Sequence, residues 1–145
     1  MVNPGAGVTG LRCGQQIQAT AGGGLSVAGR FPGAATAGEL KVAGRVEVTS
    51  TATVRGVAAP HADMFLVTAG RVVTLPAPQD AVGVRWELAA GVPKSVPGEV
   101  TLVSCESAGE RLGPGTYELY ARIAVFPDNG QVLEFIGLVG TLDVR

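Results

Sequence analysis

Residues 112 to 126 constrain this chain more than any other stretch. Leu112-Gly113-Pro114-Gly115 is a Gly/Pro turn, and Thr116 to Phe126 opens directly from it with clean period-two alternation. Tyr117, Leu119, Ala121, Ile123 and Val125 fall on one face, and Glu118, Tyr120, Arg122 and Phe126 on the other. A helix would scatter those apolar residues around its circumference. A strand gathers them on one side of a sheet, and that side then needs a second apolar layer against it. Composition extends the argument to the whole chain: 22 Gly, 9 Pro and only 16% charged residues are the profile of many short strands joined by tight turns.

Residues 1–12 read as a flexible leader and residues 13–145 as one domain, long enough to bury roughly 68–70% of its unfolded surface without a metal or multiple crosslinks. Gln16 to Thr20 and Leu25 to Gly29 flank a glycine run, which predicts a hairpin. Leu40, Val42, Val46 and Val48 share parity, with Gly44 predicted as a bulge. Gly56 to Pro60 reads as a turn, and Ala69-Gly70 as the tip of a hairpin between Met64–Thr68 and Arg71–Leu75. Val82 to Leu88 alternates and carries the only Trp, Trp86. Pro127-Asp128-Asn129-Gly130 is a hairpin signal, because Asn-Gly tolerates the positive φ that two-residue turns need. About eight to ten strands, with no segment of helical period, give an all-β fold: an antiparallel β-sandwich first and a β-barrel second.

A turn, then a Tyr at the start of a strand, then an inward apolar residue two positions on, is the sequence form of the tyrosine corner. With the Trp86 strand, Leu112 to Tyr117 resembles the immunoglobulin-like domains of secreted bacterial proteins over about Glu39 to Arg145. The resemblance implies an immunoglobulin-like β-sandwich and no particular activity. Leu119 stands where an antibody domain would carry its second Cys, so the usual inter-sheet disulfide is not implied.

The two cysteines, Cys13 and Cys105, are too far apart in sequence for a C-x-x-C redox or zinc motif. They read either as a long-range disulfide of an exported protein, the expectation adopted here, or as two small buried thiols. A net charge of −1 with no Lys/Arg cluster argues against a nucleic-acid partner. Mean hydropathy is high at +0.32, yet Pro127, Asp128, Asn129 and Glu134 interrupt the longest weakly polar stretch, so no membrane span is expected. The N-terminus carries neither a basic region nor an apolar one, so a signal peptide is absent from this chain. The expected location is extracellular or at the cell surface.

Residue types that carry chemistry are sparse. Gly5-Ala6-Gly7-Val8-Thr9-Gly10 matches G-x-G-x-x-G but lacks the preceding strand and following helix that a dinucleotide site requires. His61, the only histidine, stands two residues before Asp63; that pair suits a general base or two metal ligands, though a Pro-containing loop more often makes such a histidine a surface turn residue. Asp128-Asn129-Gly130 resembles a fragment of a calcium loop without its further ligands. The glutamates Glu87, Glu99, Glu106, Glu110, Glu118 and Glu134 read as solvated strand faces before they read as a glycosidase pair. Catalytic residues, cofactors and metals are therefore not expected.

Apolar residues at nominally outward positions rise most above background. Tyr120 and Phe126 share a face with Arg122, and one of the adjacent Phe135 and Ile136 must also point outward. Tyr120, Arg122, Phe126 and Phe135 are accordingly predicted as a surface for a protein partner or a second copy. The expected function is a non-catalytic binding or structural module. The alternatives are a virion or surface-assembly subunit using its edge strands, and a small hydrolase using His61.

Overall fold

The computed structural model describes residues 11–21, 23–78, 83–107 and 109–145, and within them every regular element is a strand. The expected leader's residues 1–10, with the glycine-rich motif, lie outside the described residues. The strands in chain order are β1 (Thr20–Ala21), β2 (Leu25–Arg30), β3 (Ala34–Ala35), β4 (Lys41–Ser50), β5 (Val54–Ala58), β6 (Ala62–Thr68), β7 (Arg71–Val72), β8 (Val84–Leu88), β9 (Lys94–Thr101), β10 (Gly115–Pro127) and β11 (Leu133–Val144). They form one curled open sheet in the order β1-β11-β10-β6-β9-β4-β2, with β7 beside β6 and the β5–β8 ladder attached to the tail of β10. The all-β expectation holds.

The alternation of β10 is realised as predicted: Leu119, Ala121, Ile123 and Val125 are buried in the main core. Val42, Val46 and Val48 of β4, Val96 and Val100 of β9, and Trp86 and Leu88 of β8 meet them there. Trp86 is fully interior, with the Lys94 ammonium 5.5 Å from its ring centroid. At Gly44 the register with β9 runs on unbroken, so no bulge lies there. Gly44 instead pairs with Gly98, and the two leave room for large neighbours: a Cβ on Gly44 would lie 2.5 Å from the Phe31 ring, and one on Gly98 2.9 Å from Met64.

The bulge falls on β11. Leu119 pairs with Gly140 but Tyr120 pairs with Leu138, which leaves Val139 without an opposite residue. That extra residue reverses the parity of the strand. Phe135 packs on the main core before it, Leu142 and Val144 are buried in the same core after it, and Ile136 faces the other side. The bulged backbone also meets β2, where a Cβ on Gly29 would stand 2.5 Å from the Val139 carbonyl oxygen. The two ends of the curled sheet thus touch without forming a ladder.

Several local expectations are corrected. β1 pairs with β11 and β2 with β4, so the segments around the glycine run are not a hairpin. Gly56 is a strand residue, pressed against the Phe126 carbonyl and Pro127 backbone where β5 pairs with the end of β10. Asp128 to Val132 join Pro127 of β10 to Leu133 of β11, a longer loop than a two-residue Asn-Gly turn. The Ala69-Gly70 hairpin is present, with both residues at positive φ (50° and 77°) as a two-residue primed turn requires.

The N-terminal segment is bound to the sheet. Cys13 and Cys105 form a disulfide. The Gly14 amide donates to the Val72 carbonyl, the Val72 amide to Gln15, the Ile17 amide to Gly70 and the Cys105 amide to Val73. Leu11, inside the expected leader, packs with Ile17 on a second small core made by Phe65, Val67 and Val72. β6 is consequently buried on both faces, Met64 and Leu66 toward the main core, Phe65 and Val67 toward the small one.

Candidate functional site

The four residues predicted as a contact surface do not share an exposed face. Tyr120 lies tilted against Phe65, ring centroids 5.6 Å apart, in the small core, where burial first and the Glu118 charge second push its hydroxyl pKa up. Phe126 is half-buried where β10 pairs with Val57 of β5. Phe135 is turned by the β11 register onto the main core. Tyr120 on the outward face of β10 is thus covered by the chain's own N-terminal segment and β7, which sequence periodicity cannot reveal because the covering residues are remote in sequence.

Arg122 is the centre of a charge cluster. Its side chain is 11% exposed and bridges Asp63 of β6 (3.6 Å) and Glu134 of β11 (2.5 Å), with Asp63 itself 13% exposed. The register places Asp63 and Ile136 opposite Arg122 on either side, so the guanidinium spans three adjacent strands. Its fork of donors serves two carboxylates at once, which a lysine could not do with the same geometry.

His61 is exposed at the entry to β6 and lines two depressions. One, with Asp63, Trp86 and Arg122, has about 10 Å³ of free volume, space for a single water. The other, with Met64, Pro76, Pro78 and Glu99, has about 200 Å³. A wider groove, about 620 Å³, lies at one end of the sheet between the β4–β5 loop and the β10–β11 loop, lined by Thr53, Arg55, Asn129, Gln131 and Leu133 among others. Its wall is fixed by Asp128, which accepts two bonds from the Arg85 guanidinium, one of them at 2.7 Å. Those bonds hold the Asp128 carboxyl below its ordinary pKa and Arg85 above its own. Asp128 of the Asp128-Asn129-Gly130 segment is therefore an ion-pair partner.

Two further polar devices were not anticipated from sequence. Arg111 donates to the carbonyls of Thr36, Glu39 and Arg145, joining three segments at the opposite end of the sheet. The Thr36 hydroxyl and amide both donate to Glu39 at 2.7 Å, lowering the Glu39 pKa. No helix is long and apolar enough to cross a membrane among the described residues.

No protein-family model matches this sequence, and no curated protein matches it. Among solved structures it is similar to the β-glucosidase of Listeria innocua, with TM-scores of 0.43 for the structure without a named ligand, 0.42 with isofagomine and 0.40 with glucose, at 16%, 16% and 18% identity. Each comparison covers 83% of this chain and 16% of that chain, so this chain spans a small part of the enzyme's length.

Proposed function

We propose that this chain is a non-catalytic binding or structural module of an exported bacterial protein, an immunoglobulin-like sandwich that contacts a protein partner or a second copy of itself. One observation carries the reading: the cluster that gathers Asp63 and Arg122 beside His61 is built as a clamp across three strands and encloses about 10 Å³, and the other depression at His61 has about 200 Å³. A hydrolytic site needs a cleft that admits substrate, typically some 300 Å³ or more. The tyrosine corner and the interior Trp86 support the sandwich architecture, and the Cys13–Cys105 disulfide is consistent with an oxidising compartment.

The test compares purified protein with a His61→Ala variant on chromogenic esters, glycosides and phosphate esters. The expected result is no turnover above buffer for either protein. Turnover that disappears with the histidine overturns the reading in favour of the hydrolase.

A further inference from the structure

We propose that β8 is a self-association edge: two copies of this chain join by antiparallel pairing of Val84–Leu88 about a two-fold axis at Trp86, continuing the β10–β5–β8 ladder from one copy into the next. The proposal rests on the reading of the chain as a contact module.

Edge occupancy singles out β8. An unpaired strand edge presents a row of free amides and carbonyls, and folds cover or blunt such rows. β4, β5, β6 and β10 each have strands on both sides. β9 lies between β4 and the start of β6. The outer side of β11 is covered by β1, by β3 and, between them, by the approach of β2 at Gly29 and Val139, which also covers β2. β7 has β6 on one side and the Gly14–Ile17 segment on the other. Among the described residues β8 pairs with β5 alone; β1 and β3 likewise pair with β11 alone, but each is only two residues long.

The side chains of β8 are self-complementary. Arg85 and Glu87 are both exposed, while Trp86 and Leu88 point into the core. In antiparallel pairing centred on Trp86, Arg85 stands opposite Glu87 of the second copy, and Glu87 opposite its Arg85. A slip of two residues either way sets Arg85 against Arg85 or Glu87 against Glu87, so the charges also select the register. Asp128 engages the Nη1 and Nη2 atoms of Arg85, which leaves its Nε–H and outer N–H donors for a second carboxylate. Val84, exposed in the single chain, would lie opposite Leu88. The symmetry is that of a two-fold dimer, in which one patch meets itself.

Sedimentation velocity over a dilution series tests this, with circular dichroism confirming that each variant is folded. A five-residue strand pair is smaller than a standard interface, so the wild type should show a reversible monomer–dimer equilibrium that shifts to monomer on dilution. Glu87→Arg, which keeps the Arg85–Asp128 pair, and Arg85→Glu should each be monomeric at concentrations where the wild type dimerises. An equimolar mixture of the two variants should dimerise again, since both cations on the β8 edge of the first then face carboxylates on the β8 edge of the second. A wild type that stays monomeric into the millimolar range, a dimer unaffected by Glu87→Arg, or a mixture that fails to reassociate overturns the proposal. A monomer without His61-dependent turnover removes the β8 pairing and leaves the contact-module reading in place, so the two fail separately.

Discussion

The Tyr117 hydroxyl donates to the Gly113 carbonyl at 2.8 Å, fastening the Gly/Pro turn to the strand it opens. The loop end of β10 is thereby fixed by a side chain whose ring packs on the main core. Tyr117→Phe keeps the ring and removes the bond, so a loss of about 0.5–1.5 kcal/mol is expected. A chemical denaturation midpoint indistinguishable from that of the wild type would show that the bond adds nothing to stability.

Arg122→Met should be far more damaging. It removes the cation that bridges Asp63 of β6 and Glu134 of β11 across β10. Breaking such a pair from one side typically costs about 3 kcal/mol. The thermal midpoint of the variant measures it, and Arg122→Lys should recover only part, since one ammonium replaces a two-sided fork.

Gly56→Ala tests the junction of β5 and β10. The added methyl collides with the Phe126 carbonyl and with the Pro127 backbone, neither of which can rotate away. Overpacking of this kind costs about 1–3 kcal/mol. Amide exchange should speed up across β5 and β8, while β4 and β9 keep their protection.

Acid should weaken the fold through Asp128 and Glu39. Both carboxyls have folded pKa values below their unfolded ones, Asp128 chiefly through its bonds from Arg85 and Glu39 chiefly through those from Thr36. Their contribution is complete above the ordinary carboxylate range and is lost as pH falls through the depressed folded values. Asp128→Asn should flatten the acid limb of a stability–pH curve. High salt should shrink the difference, because both sites are solvent-exposed.

Features set by neighbouring residues were legible in the sequence: the Tyr117 corner, the inward face of β10 and the Ala69-Gly70 hairpin each depend on chemistry within a few positions. The Cys13–Cys105 pairing followed from counting two cysteines that no metal motif claims. Pairings between remote segments were not legible. Nothing local says that β1 leaves the glycine run to join β11, or that β5 takes over from β6 along the tail of β10. The bulge at Val139 erases the period-two signal where Phe135 and Ile136 had to be told apart. Tyr120 of β10 looked like part of an interface because its cover, Leu11 and Ile17, is distant along the chain.

The Cys13–Cys105 crosslink also sets how far this chain can be drawn out. Its partners are 92 positions apart, so roughly 300 Å of contour is locked out of extension under tension even when every strand has been pulled apart. Only the residues outside the loop can extend as tether. Reduction of one bond would release the rest at once, which makes the reach of the unfolded chain a quantity set by the redox state around it.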